Sequence, residues 1–381
     1  MTARLDRERA ELRDVVASFL GRTQDMTAVR HALEQGYDRS VWARMAGELG
    51  LTAVGLPEEV GGTGESVSDL IVVTEELGRQ LDPGPFVPSV VLGARVLLAA
   101  GADSEWTERV IDGSSTISVA LPGHHGPHGR KHDPVSVRVD GDCVLVDGTV
   151  RDVLHGDSVD DLVVVADTDG GPTLLRIATD APGVTVTAIA SVDLTRPLAD
   201  VVFDGAPAEL LGRPGAAEHV MMPVVRSARI AVAAELVGVA QGALDLTVAH
   251  ALHRQQFGRA IGSFQAIKHA LVDVMMDVEA CRTAVRRAAE AVDAYDPEAE
   301  QLSLLCQAVS SDAAMQAGKA AIQVHGAIGF TWEHDAHLYL KRAMSGAQLF
   351  GSARENRRRL AGLLLDQKTT RVADPATPGR K

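Results

Sequence analysis

Aromatic side chains are scarce in this sequence: three Trp, three Tyr and seven Phe among 381 residues. Ring stacking is therefore not its general packing device, and an aromatic that stands in a polar loop becomes a candidate for a specific task. Cysteine is equally rare. Cys143, Cys281 and Cys306 lie far apart, which gives no disulfide framework and no zinc spacing, and points to a reducing cytoplasm. Excess cation is missing as well. A formal net charge of -14 speaks against nucleic acid and anionic membrane as partners, since both need clustered positive charge. No unbroken apolar run of about twenty residues occurs, so no membrane span is expected. The N-terminus alternates acid and base without the apolar segment of an export signal. A Walker loop, a Gly-x-Gly-x-x-Gly turn after a strand and a Gly-x-Ser-x-Gly elbow are absent. So is the Glu-x-x-His pair of a ferritin-like di-iron bundle.

The hydrophobic 46% and charged 23% suit a soluble chain long enough for two or three packed domains. Its pattern changes character twice. Residues from Arg4 to Leu20 and from Ser40 to Leu49 read as amphipathic helices. The Pro/Gly loop Gly55–Gly64 follows, then a helix capped by Ser68 and ending at Gly78. Pro83, Pro85 and Pro88 precede one more apolar helix. From about Ser114, strand-like segments at Thr116–Leu121, Val135–Val139, Cys143–Val146, Leu162–Val165 and Val184–Val186 alternate with Asp-Gly and Gly-Gly turns. This β region runs to about Phe203, and Asp204–Pro207 leads out of it to a linker near Gly212–Pro214. Beyond Val220 the pattern is helical again, interrupted at Gly258–Gly262, Asp296-Pro297 and Gly326–Gly329. The expected organisation is a helical domain over 1–113, a β domain over 114–213, a helical bundle over 214–367 and a flexible tail over 368–381.

One stretch stands out, Arg254-Gln255-Gln256-Phe257-Gly258-Arg259-Ala260-Ile261-Gly262-Ser263-Phe264-Gln265-Ala266-Ile267-Lys268. After it, Ile267, Leu271, Val274, Val278, Cys281, Val285, Ala288 and Val292 recur at bundle-helix spacing. An Arg fork and a Phe face beside a glycine loop form a plausible clamp for a flat anionic ligand. A plain helix–helix turn with a buried Phe accounts for the same residue types.

The order helices, β domain, bundle, together with this stretch, Gln323-Val324-His325-Gly326-Ala327-Ile328-Gly329-Phe330, the loop Pro57–Gly62, and the segments Leu194-Thr195-Arg196 and Asp204–Pro207, resembles the acyl-CoA dehydrogenase family of flavoproteins. The resemblance spans about residues 10–365. It implies an α+β fold: an N-terminal helical domain, a middle β-barrel or sandwich and a C-terminal four-helix bundle. It also implies FAD held across a subunit boundary. Arg254, Phe257, Gln265, Gln323 and Gly326 match family positions that grip the dinucleotide from a neighbouring chain, and Ala327 replaces the second Gly of a pair. Arg suits pyrophosphate, Phe stacks, and Gly permits close backbone approach.

Other family positions are not matched. The glutamate that removes the acyl α-proton has two usual locations; here they hold Gly351 and Ala228, the latter preceding Arg229, which the resemblance places near substrate. Glu235 is the nearest carboxylate on that helix, two turns beyond Ala228. It is read as a structural group, with a relocated base as the lesser alternative. The flavin-facing segments Ala120-Leu121-Pro122-Gly123 and Asp152-Val153-Leu154 lack the family's hydroxyls and Trp-x-Thr. The implied function is α,β-oxidation of an acyl-CoA thioester by a dimer or tetramer, with this chain as a subunit that lacks its own base and completes a shared FAD site with a homologous partner. A flavin-dependent monooxygenase on the same fold and a noncatalytic scaffold binding acyl-CoA or a partner are the alternatives.

The loop His124–His132 carries four histidines without interleaved Cys or carboxylate and reads as solvated, not metal-binding. Trp332-Glu333-His334-Asp335 reads as a helix cap near the dinucleotide site, and Arg357-Arg358-Arg359 as the basic end of the last helix.

Overall fold

A computed structural model describes residues 2–64, 66–121, 135–140 and 143–372. The histidine-rich loop at His124–His132 falls outside them. The chain begins with α1 (Thr2–Thr23), α2 (Met26–Gln35) and α3 (Arg39–Gly47), then α4 (Val67–Arg79). A π-helical segment, Val87–Ala94, winds into α5 (Arg95–Ala100), and α6 (Ser104–Ile111) closes this part. Helix α4 is capped by Ser66, whose hydroxyl accepts from the Asp69 N–H, and not by Ser68, which is buried as its second residue. Nor does Gly78 stop it. The glycine is there for close packing: a Cβ at Gly78 would lie 2.1 Å from the Glu235 carbonyl oxygen, and one at Gly238 would lie 1.8 Å from that of Glu75. Two glycines thus let α4 cross α7 (Ala217–His253) at near-backbone contact.

The middle of the chain forms β1 (Ile117–Val119), β2 (Ser136–Asp140), β3 (Cys143–Leu154), β4 (Asp161–Thr168), β5 (Gly171–Ala178), β6 (Val184–Ile189) and β7 (Leu198–Leu211). The ring β4-β2-β3-β7-β5 closes on itself through β4–β5, with β1 beside β4 and β6 beside β7. A closed ring leaves fewer open edges. Asp204–Pro207, expected to lead out of the domain, lies inside β7, paired with β3 and bonded through the Gly205 N–H to Asp147. Register shifts between Val150 and Val153 put Asp152 and His155 in left-handed backbone, which turns the end of β3 toward the helices.

The remaining helices are α8 (Gln265–Asp293), α9 (Ala299–His325), α10 (Ala336–Gly346) and α11 (Ala353–Val372). Helix α7 is long and apolar enough to cross a membrane, but its apolar window is 83% buried against its neighbours. Helix α11 opens on a reciprocal cap in which Glu355 accepts from the Ser352 N–H and hydroxyl. Because it continues to Val372, Arg357–Arg359 lie near its start, not at its dipole end, and the first residues of the expected tail are helical. Two apolar cores result. The larger joins the N-terminal helices, the bundle and one face of the strands, and the smaller fills the barrel around Val146, Leu162, Val201 and Phe203.

Candidate functional site

Where α4, α7, α10, the end of β3 and the turn before β7 meet, five ionisable side chains are buried together. One oxygen of Glu235 accepts from Arg196 Nη2 at 2.5 Å and from Arg342 Nε at 2.6 Å. Arg342 also donates to the Thr195 carbonyl and hydroxyl at 2.7 and 2.9 Å and to the Asp82 carbonyl at 3.1 Å. Asp82 in turn accepts from Gln24 and the Gly84 N–H. Burial raises the Asp82 carboxyl to about 6 despite Arg342, and burial with the two arginines lowers His155 to about 3. For Glu235 burial acts upward, but Arg196 and Arg342 outweigh it and hold the carboxyl below its ordinary range. An ionised carboxylate fixed by two guanidiniums is a structural tie, and it cannot swing to a substrate as a base would have to. The cavity these groups enclose with Leu154 is about 20 Å³, room for one water. Sequence reading found only Glu235. Arg196 and Arg342 sit far from it along the chain, and no local spacing announces the pairing.

Of the two positions at which the resemblance expects a base, Ala228 is wholly buried in α7. Gly351 lies in the turn between α10 and α11 at φ +96°, its carbonyl accepting from Asn356. Arg229, beside Ala228, is 1% exposed and donates to Glu300 at 3.0 Å and Ser303 at 2.7 Å. Arg226 holds the other Glu300 oxygen at 3.0 Å, and Arg359 approaches at 3.5 Å. These groups form one wall of an open cavity of about 460 Å³ whose apolar wall is Met221, Met222 and Val225. Burial raises Glu300, yet Arg229 and Arg226 prevail and keep it ionised.

The matched dinucleotide-gripping residues lie at the other end of α7. Arg254 leaves the helix in extended conformation, and β8 (Gln255–Gln256) and β9 (Arg259–Ala260) pair across a two-residue turn. Its centre is Phe257-Gly258 at φ +53° and +75°, the primed geometry that such a hairpin needs. Phe257 is therefore not a buried turn residue. It is 91% exposed, its ring edge-on to Phe264 at 6.1 Å, while the Arg259 guanidinium lies 4.0 Å over Phe264. Gln265 begins α8 and Gln323 nears the end of α9, both exposed. Gly326 takes φ +67° with nothing within 4 Å of its Cβ position, and Ala327 follows in a short 3₁₀ turn without positive φ. The His250 and His325 rings, 4.2 Å apart, bring both halves to one end of the bundle. The expected cap of α10 is made differently: His334 Nδ1 accepts from the Ala336 N–H, and Asp335 pairs with Arg30.

Comparison with known proteins agrees with this architecture. Residues 6–113 match the acyl-CoA dehydrogenase N-terminal domain and residues 219–364 the acyl-CoA dehydrogenase C-terminal domain. Acyl-CoA dehydrogenase IpdE2 of Mycobacterium tuberculosis is 34% identical over 93% of this chain and 96% of its own length. Among solved structures, the ChsE4-ChsE5 complex from Mycobacterium tuberculosis superposes with a TM-score of 0.83 at 27% identity, covering 97% of this chain and 98% of that one. The Tcur3481-Tcur3483 steroid ACAD gives 0.81 at 28% identity, covering 96% and 99%. The chain belongs to the acyl-CoA dehydrogenase family.

Proposed function

We propose that this chain is the base-lacking subunit of a heteromeric acyl-CoA α,β-dehydrogenase. It lends a clamp for the ADP half of FAD to a homologous partner that carries the flavin ring and the proton-abstracting carboxylate. The observation that carries this is the contrast in finish between the two halves of the dinucleotide site. The positions that would face an isoalloxazine, Ala120 and Leu121 just after β1 and Asp152 and Leu154 in β3, are all buried in the chain's own packing, Leu154 beside a water-sized cavity. Phe257, Arg254 and Gln323 are turned outward, and Gly326 leaves open space where a phosphate could approach. The residues present fit the adenine and pyrophosphate and do not fit the ring. Bound FAD supplies the acceptor for the hydride leaving the thioester β-carbon. This chain's part is to orient the nucleotide, Phe257 by stacking and Arg254 by charge-assisted hydrogen bonds.

Assembly with a homologous chain is supported by the resemblance to ChsE4-ChsE5 and Tcur3481-Tcur3483. The latter, a steroid ACAD, suggests a bulky, steroid-type thioester for this chain's complex. The test is flavin content. The purified chain alone is expected to be colourless, and the complex with a dehydrogenase-like partner encoded beside it to be yellow, with Arg254→Ala lowering its flavin occupancy. A yellow, thioester-oxidising homomer would refute the reading. A colourless chain that, with supplied reduced flavin, couples oxygen uptake to oxygenation of an added substrate would favour a monooxygenase instead.

A further inference from the structure

Behind the outward-facing clamp three histidines from three segments converge. His250 comes from the last turn of α7, His325 from the last residue of α9, and His334 from the loop before α10. The His325 ring lies between the other two, 4.2 Å from His250 and 4.3 Å from His334, and a ligand atom of each lies within 4.8 Å of the others. We propose that His250, His325 and His334 form a binding site for one divalent transition-metal ion of the zinc type, which fastens the ends of α7 and α9 behind the clamp.

The chemistry of His325 is specific. Its Nδ1 lies 2.7 Å from the Ala321 carbonyl, which can only accept, so Nδ1 carries the proton and Nε2 bears a lone pair. That is the arrangement of a metal-ligating imidazole oriented by a backbone carbonyl. His325 is 6% exposed, and Nε2 finds no hydrogen-bond partner among the described residues. A lone pair buried without a donor is a cost unless something binds it. His250 and His334 are only partly buried, so both can rotate and a solvent ligand can complete the shell.

The ends of α7 and α9 turn their negative dipole ends toward the site, which favours a cation. Arg254 and Arg30 oppose it, and Asp335 offsets Arg30. Ion capture has two structural requirements. The nitrogens must draw in from 4.8 Å to the roughly 3.3 Å that ligands at about 2.0 Å from a tetrahedral zinc require. His334, whose Nδ1 now accepts from the Ala336 N–H, must give up that bond, either to ligate through Nδ1 or to take the proton there from Nε2 and ligate through Nε2. The shift is internal to the ring, so no proton is gained or lost.

The inference does not depend on the flavin reading, because metal binding is read on the chain alone. Four other histidines lie in the loop at 124–132. The starting protein is therefore the full chain with His124→Asn, His125→Asn, His128→Asn and His132→Asn, stripped with chelator and titrated with Zn²⁺ by calorimetry and with Co²⁺ by visible absorption. The expected result is one ion per chain and a tetrahedral Co²⁺ spectrum. His325→Gln should weaken binding at least about tenfold, the scale of losses even at supporting groups of metal sites. His250→Gln, a half-exposed change that leaves the core intact, should do the same and decides the matter if His325→Gln does not fold. Absence of binding in the loop-substituted chain, or unchanged affinity in His250→Gln, overturns the proposal.

Discussion

Helix α7 carries two charged regions finished to opposite degrees. Around Glu235 one carboxylate oxygen takes both guanidiniums, Glu235 Oε2 and Arg196 Nη1 are left buried without a partner among the described residues, and the space left holds one water. At its end, Arg254 and Phe257 point outward and complete nothing by themselves. In the first region the charges do their work by being closed. Arg196, Glu235, Arg342 and Asp82 tie the N-terminal helices, the strands and the bundle together, at the point where, on the proposed reading, a substrate tail and a flavin edge would need room. In the second, stability has been left unspent, and the exposed ring and guanidinium gain value only against another surface. The two regions should therefore respond in opposite ways to substitution: the closed one through folding, the open one through binding.

The largest effect is expected from Glu235→Ala. It leaves two buried guanidiniums without their carboxylate, and breaking a buried pair on one side costs about 3–5 kcal/mol. Denaturant unfolding of the chain alone measures it. A loss below about 1 kcal/mol would mean that water reaches the arginines and the centre is not closed.

Next is Gly351→Glu, which places a carboxylate where the resemblance expects the base. The backbone there is at φ +96°, and a Cβ would meet Asn356 Oδ1 at 3.2 Å. The expected outcome is a loss of about 1–3 kcal/mol from backbone strain and no thioester oxidation, since the missing room is not restored. Dehydrogenation by this variant would show that only the base was absent, and that the closed centre is no barrier.

Much of this contrast was legible in the sequence. The stretch proposed as a clamp is continuous, its glycines and Phe standing at turn spacing, and the proposed lack of a base rests on reading two positions. The closed centre was not, because its members come from five segments and their pairing depends on how α4 crosses α7. Gly78 looked like a helix stop because local rules see a glycine's backbone freedom and not the chain that will pack over it. Strand β5 and helix α2 were missed. The first begins Gly171-Pro172 and reads as a turn, and the second, Met26–Gln35, is short with Val29 as its buried side chain. Arg357–Arg359 were misplaced because the end of α11 was set too early.

The pH dependence sharpens the comparison further. Asp82, at about 6 when folded against 3.8 ordinarily, contributes stability that is present below about pH 4 and lost as pH rises through 6. His155, at about 3 against 6.5, contributes stability present above about 6.5 and lost as pH falls toward 3. The two slopes oppose between these limits, and neither exceeds about 1.4 kcal/mol per pH unit. Asp82→Asn removes one of them. Its stability relative to the unmodified chain should rise from pH 4 to 7, and its own curve should fall more steeply toward acid. Urea midpoints across that range give the answer, and a difference independent of pH would place Asp82 in contact with solvent.

The smallest expected effect lies in the open region, at Phe257. An L-residue in left-handed backbone costs about 1–2 kcal/mol, and here it is a phenylalanine with almost its whole side chain in water. Its contact within its own chain is the solvent-exposed edge-on approach to Phe264, so Phe257→Gly should leave the isolated subunit as stable or up to about 1 kcal/mol more so, the relief of strain being offset in part by glycine's greater unfolded-state freedom. Phe257→Ala keeps the strained φ and should bring no such gain, which separates backbone from ring. In the complex both variants should lose flavin, because the stacking face is gone in each. If instead Phe257→Ala destabilises the lone chain, the ring is packed against its own protomer in solution, and the two ends of α7 are less different than their exposure indicates.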